Sequence, residues 1–238
     1  VLNLKFYWVK SFLLFKKKMN NLNYFKNLIN LGNKFYPKEI FISEKDLKIA
    51  LSFVNKALSL SFDPPETLLF EAYLLRGKIN FSLQNYEESI LDFNRILEIQ
   101  KDNIMAYFYR GKAKKELMLF DESLIDFDMA IKLNPNDQDF LIERAYLKSF
   151  LNKLPEALDD LDAAININPN NTFNFIQKGN IEFQIGNYGE SLKNFDIALK
   201  KMSDNDLDRY LLENVHRKFA EEKYIENLEN LLNSHKLI

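Results

Sequence analysis

From residue 72 to residue 205, bulky and small side chains recur at a fixed interval of 34 positions. Arg76-Gly77 returns as Arg110-Gly111, Arg144-Ala145 and Lys178-Gly179. A large apolar residue keeps the same step at Tyr86, Phe120, Leu154 and Tyr188, and another at Phe93, Phe127, Leu161 and Phe195. Within one interval the apolar positions follow helical spacing twice. Tyr73, Leu74, Gly77 and Phe81 predict a first helix; after a break at Gln84-Asn85, the stripe Tyr86, Ile90, Phe93 and Leu97 predicts a second. Self-similarity at this period implies stacked supersecondary units in place of one central core.

The small residues predict where the helices meet. Gly77, Gly111, Ala145 and Gly179 fall where a first helix crosses its partner. A bulkier side chain there would hold the two apart, which accounts for glycine inside a helix despite a cost of about 1 kcal/mol. Ser89, Ser123, Ala157 and Ser191 meet the same demand on the second helix. Leu133-Asn134-Pro135 and Ile167-Asn168-Pro169 end second helices, since proline cannot continue a helix. Asn103, Asp137, Asn171 and Asn205 suit turns and the capping of the next helix.

With these residues in place, the chain resembles the tetratricopeptide repeat (TPR) family, whose motif sets small, aromatic, small, aromatic, small and proline residues at fixed offsets. Gly111, Phe120, Ser123, Phe127, Ala130 and Pro135 carry it, as do Ala145, Leu154, Ala157, Leu161, Ala164 and Pro169. The outer copies depart from it, with Ile96 and Lys101 in the first and Ser203 in place of proline in the fourth. The resemblance implies an all-α fold, a right-handed α-solenoid of stacked antiparallel helix pairs, with units at 70–103, 104–137, 138–171 and 172–205. Residues 19–69 read as a degenerate helix pair: 21–35 form its first helix, and 44–60 its second, with Ala50, Val54, Ala57 and Leu58 on the packing face. Beyond Asn205, Leu207, Leu211, Val215 and Phe219 mark one amphipathic helix and Ile225, Leu228, Leu231 and Leu232 another. We read 206–238 as a cap whose charged side prevents end-to-end stacking.

Residues 1–18 stand apart, with an apolar run broken by Lys5 and Lys10 and closed by Lys16-Lys17-Lys18. The run is shorter than the roughly 20 apolar residues of a spanning helix. Three readings stay open: translation starting at Met19, an interfacial helix, or a segment packed on the first repeat.

Composition narrows the function classes. Among 238 residues the formal net charge is −2, which disfavours general nucleic-acid binding. With no cysteine, thiolate metal sites and disulfides are excluded, in keeping with a cytoplasmic location. His216 and His235 have no metal-ligand partner at helical spacing, Gly186-Asn187-Tyr188-Gly189 is an interhelical turn, and Asp159-Asp160-Leu161-Asp162 is helix surface. No catalytic constellation, cofactor site or metal site is expected. Arg76, Arg110 and Arg144 each precede Asp92, Asp126 and Asp160 by 16 residues, and both members change together to Lys178 and Asn194. Such pairs either fix the register of the two helices or present a basic row to anionic ligands.

In the family the first helices line a concave groove, and projecting that onto this chain gives three rows. Leu74, Phe108, Ile142 and Ile176 form one; Lys78, Lys112, Tyr146 and Asn180 a second; Phe81, Lys115, Ser149 and Phe183 a third. The surface would suit extended or helical peptide segments with apolar and acidic residues. Alternatively, several of the apolar members pack between repeats. The carboxylate clamp that some members use for chaperone C-termini is not expected, because Asp139 and Glu143 would repel an anion. The expected function is a non-enzymatic scaffold that binds other proteins; the alternative is an assembly factor tethered to a membrane through residues 1–18.

Overall fold

A computed structural model describes residues 2–36, 43–202 and 218–235. The described residues form helices joined by turns and short links. In order they are α1 (Leu2–Phe35), α2 (Glu44–Leu58), α3 (Glu66–Ser82), α4 (Tyr86–Ile99), α5 (Ile104–Glu116), α6 (Phe120–Leu133), α7 (Gln138–Phe150), α8 (Leu154–Ile167), α9 (Thr172–Ile185), α10 (Tyr188–Lys201) and α11 (Lys218–His235). Two compact units emerge, Val1–Met129 and Ala130–Ile238, with the division falling inside α6.

In the first unit α1 packs on α2, α2 on α3, α3 on α4 and α4 on α5; in the second the sequence α7, α8, α9, α10, α11 packs likewise. This is the stacked helix-pair architecture that the 34-residue period predicts. At each crossing the small residue of the first helix lies under the bulky residue 16 positions later. A Cβ on Gly77 would stand 2.9 Å from Phe93 Cζ, and one on Gly111 would stand 3.0 Å from Phe127 Cε1. Gly179 lies closer still to Phe195. The third copy solves the same problem with Ala145 and the smaller Leu161, both buried.

The second small position has a role beyond its size. Ser89 Oγ donates to the Gly77 carbonyl at 2.9 Å, Ser123 Oγ to the Gly111 carbonyl at 2.7 Å, and Ser191 Oγ to the Gly179 carbonyl at 2.8 Å. These hydroxyls are buried, so the bond spares them a desolvation penalty. Sequence reasoning credited these positions with small volume alone.

Turns repeat as faithfully as crossings. Gln84, Met118, Asn152 and Gly186 all take positive φ at the end of a first helix. The following amide then reaches back to close the helix, as Asn85 N does to the Asn80 carbonyl at 2.9 Å and Lys153 N to the Lys148 carbonyl at 2.8 Å. At the other ends, Asn103, Asp137 and Asn171 accept from Ala106 N, Asp139 N and Phe173 N, the capping expected of them. Asn205 lies outside the described residues.

α1 and α2 together behave as a further repeat. α1 continues without a break across residue 18. Phe25, Leu28 and Ile29 meet Leu47, Ala50, Val54 and Ala57 in one buried cluster. Gly32 takes the crossing role, since a Cβ there would stand 2.9 Å from Val54 Cγ2 and 3.1 Å from Leu75 Cδ2. α3 starts at Glu66, directly after Pro64-Pro65 and ahead of position 70. At the other end, Ala220 of α11 joins the α9–α10 core and Tyr224 lies against Gly189. Ile225 and Leu228 are exposed, and the helix expected around Leu207–Val215 lies outside the described residues. No helix among the described residues is long and apolar enough to cross a membrane.

Two outcomes test this packing. Gly77→Ala should destabilise less beside Phe93→Leu than alone, the pairing that the third repeat already uses. A double-mutant cycle by denaturant unfolding should return a coupling of about 1 kcal/mol or more; simple additivity would show that the crossing does not limit the approach. Met118→Gly should raise stability by about 1 kcal/mol, because an exposed L-residue with φ 61° gives way to glycine.

Candidate functional site

The arginine–aspartate pairs join the two helices of each repeat, with the aspartates buried and the arginines partly exposed. The aspartate side chains are 1%, 2% and 5% exposed at Asp92, Asp126 and Asp160, and each accepts from its arginine Nη2 at 2.6 Å. The arginines also join neighbouring pairs: Arg76 Nη1 donates to Asn55 Oδ1 at 3.2 Å and Arg110 Nη1 to Asn94 Oδ1 at 2.7 Å. One guanidinium thus holds its own second helix and that of the preceding pair. A planar five-donor fork can do both, which a single ammonium cannot. Lys178 keeps the outward half of this arrangement in its bond to Asp162, while Asn194 turns to the Glu190 carbonyl at 2.9 Å. The joint change to Lys178 and Asn194 therefore does not preserve a contact between those two residues.

A second cation, unnoticed in the sequence, completes two of these sites. Lys114 Nζ lies 2.8 Å from Asp126 Oδ2 and Lys148 Nζ lies 2.7 Å from Asp160 Oδ2. The aligned residues in the outer copies are Asn80 and Glu182. The signal was available as a lysine four positions after the arginine in the second and third copies.

In the first unit the candidate positions divide by depth. Leu74 packs against the Phe93–Ile96–Ala106 core, and Phe108 is 8% exposed with its ring 6.1 Å from that of Phe127. Closer to the surface, Lys78 Nζ lies 4.9 Å from the Tyr109 ring centroid, and Lys112 Nζ lies 5.7 Å from Phe81 and 5.4 Å from Phe108. Lys115 is half-buried, 3.9 Å from Glu116. Lysines thus lie over aromatic faces across the first-helix side of α3 and α5, an arrangement stabilised by the ring quadrupole. Tyr109 was not among the expected site residues; burial pushes its hydroxyl above the usual tyrosine range.

In the second unit a half-open cavity of about 460 Å³ lies between α7 and α9. Ile142, Tyr146, Ser149, Asn180 and Phe183 line it, as do Phe150, Gln177 and Gln184, which sequence reasoning had missed. Phe150 falls one helical turn after Tyr146, and the two glutamines flank Asn180 at helical spacing. Tyr146 and Phe150 are 56% and 69% exposed. Its lining residues are apolar, hydroxyl-bearing or amide, without a formal charge. Ile176 is elsewhere, packed with Phe175 and Phe195 between α9 and α10. The first row thus serves mainly as packing at Leu74, Phe108 and Ile176, with Ile142 alone of the four lining this cavity. Among the described residues no His, Cys, Asp and Glu side chains gather in a group suited to a metal ion.

Comparison with known proteins agrees with this architecture. Residues 70–103 match the tetratricopeptide repeat family model. A tetratricopeptide repeat protein from Parabacteroides merdae has a similar structure, with 21% identity, a TM-score of 0.69, and coverage of 90% of this chain and 79% of that one. YrrB, described as a TPR protein with an unusual peptide-binding site, aligns at 23% identity and a TM-score of 0.56, covering 68% of this chain and 80% of its own. MamA from Desulfovibrio magneticus RS-1 aligns at 13% identity and a TM-score of 0.65, covering 77% and 97%. At these identities the likeness is one of fold, that of TPR solenoids. No curated protein matches the chain in sequence.

Burial of the aspartates sets an expectation for their removal. Asp126→Ala leaves Arg110 and Lys114 without their shared counter-charge, and breaking such a pair costs about 3–5 kcal/mol. Chemical denaturation of the full chain should show a loss of that size; a loss below about 1 kcal/mol would mean that both cations relax freely into solvent.

Proposed function

We propose that this tetratricopeptide-repeat chain is a non-enzymatic scaffold that holds peptide segments of other proteins against the faces of its first helices. The carrying observation is the α7–α9 cavity, with an apolar floor, two exposed aromatics at its mouth and three side-chain amides around it. Such a pocket suits one bulky aliphatic or aromatic side chain of a ligand, while amides offer both donors and acceptors to the adjoining peptide backbone. YrrB's description as a TPR protein with a peptide-binding site supports the same use of this fold. The cysteine-free composition suits work in a reducing cytoplasm.

On the first unit, Lys78, Lys112 and Lys115 with Phe81 and Tyr109 form a cationic and aromatic surface suited to acidic partner residues. Ligand specificity then differs between units, with apolar anchoring on α7–α9 and charge selection on α3–α5. Apolar burial is worth about 1.5–3 kcal/mol per large side chain, whereas the lysines chiefly tune association rate and partner choice.

Peptides selected from a random displayed library against the full chain should carry a bulky apolar residue, acidic residues or both. Tyr146→Ala, which removes an exposed ring, should weaken those peptides about tenfold or more, by calorimetry. Peptides that bind this variant and Asn180→Ala as tightly as the wild type would place recognition outside the cavity.

A further inference from the structure

A notch of about 350 Å³ opens on the second-helix side of the first unit, between α2 and α4 with α3 beneath. Asn55, Arg76, Asn80, Asn85, Glu88 and Asp92 supply its polar lining. Its origin is legible in the repeats themselves. In the second and third copies a lysine fills the position of Asn80 and brings an ammonium within 2.8 Å and 2.7 Å of the buried carboxylate. Asn80 is too short to do so: its Nδ2 reaches Asp92 Oδ2 only at 3.3 Å, and it carries no charge.

Charge follows the same logic. Asp126 and Asp160 each face two cations, whereas among the described residues Asp92 faces Arg76 alone. Glu88, exposed at the rim, adds a second negative charge. Burial holds the Asp92 carboxyl above the ordinary aspartate range; Arg76 and Asn80 oppose that rise and Glu88 adds to it. The first repeat therefore has the acceptor half of the site that Lys114 and Lys148 complete in the next two, with asparagine at the lysine's position.

We propose that this notch takes the primary ammonium of a lysine side chain supplied by a partner protein, seated between Asp92 and Glu88 where the second and third repeats place their own lysines. An ammonium suits the place because it is compact and carries three donors that can serve both carboxylates. A guanidinium is already present as Arg76, and a quaternary ammonium has no donor to give. The proposal is independent of the peptide-binding reading, since the notch is walled by second helices.

The test is titration of the isotopically labelled full chain with n-butylammonium chloride and with Nα-acetyl-lysine methylamide. Tetramethylammonium chloride serves as comparator, and ionic strength is held constant with sodium chloride. Both primary amines should produce saturable shifts of the Asn85 side-chain amide, and tetramethylammonium should not. Asn80→Lys supplies the missing ammonium internally, so it should weaken the response about tenfold or more. Glu88→Gln, a change at an exposed residue, should also weaken it. Equal responses to the primary and quaternary ions, or equal responses of the wild type and both variants, would overturn the assignment. If the amines bind and Tyr146→Ala leaves peptide binding intact, the notch stands and the cavity reading falls; the reverse pattern separates them the other way.

Discussion

The close approach of two helices at one point, Gly77 beneath Phe93 and its copies, is the constraint that the polar contacts around each crossing share. Without a Cβ at Gly77 the Phe93 ring can press on the backbone, and that approach brings the Ser89 hydroxyl to the Gly77 carbonyl. The neighbours of these residues are then forced together as well. Arg76 precedes the glycine and Asp92 precedes the phenylalanine, so a tight crossing brings the guanidinium onto the carboxylate. Steric fit, a buried hydroxyl bond and a buried ion pair thus share one geometric cause. The third repeat supports this coupling: Ala145 and Ala157 leave no hydroxyl to bond, yet the smaller Leu161 keeps the crossing close enough for Arg144 to meet Asp160.

Burying a carboxylate at the first three crossings is costly, and the repeats meet that cost in different ways. Desolvation of an ion pair commonly exceeds its Coulomb gain unless further bonds complete it. The second and third copies complete it with Lys114 and Lys148, and the first with the neutral Asn80. The fourth gives up the aspartate: Asn194 stands in its place and Glu182 accepts from Asn187 Nδ2 at 2.8 Å. These are alternative balances of one polar network, and their differences leave distinct surfaces behind. A repeat protein tolerates such drift because each unit contacts mainly its neighbours.

Buried packing and surface chemistry occupy different positions of the same helices. Leu74, Phe108 and Ile176 are drawn into the stack, since a helix that pairs on two sides has little apolar surface left over. Residues one turn further along, such as Lys78, Lys112, Tyr146 and Asn180, project from the packed faces and carry the chemical variety. Variation there alters the surface without touching the crossing, so one fold can carry different surface chemistry.

Periodicity by itself determined the helix pairs, the crossing residues, the caps at Asn103, Asp137 and Asn171, and the constant 16-residue spacing of Arg76, Arg110 and Arg144 from their aspartates. Those features recur at constant spacing, and each follows from the geometry of a helix and a short turn. Tertiary structure alone decided how deeply the aspartates lie, that Lys114 and Lys148 share them, and that Ile142, Phe150 and Gln177 meet around one cavity. It also decided that Gly32 takes the crossing role against Val54 in the degenerate first pair, because a longer connection hides its alignment from a fixed period. The physical reason is common to all of these: desolvation and cavity shape depend on what the neighbouring helix places opposite. A repeating pattern within one helix states which face is apolar and leaves unspecified what that face will meet.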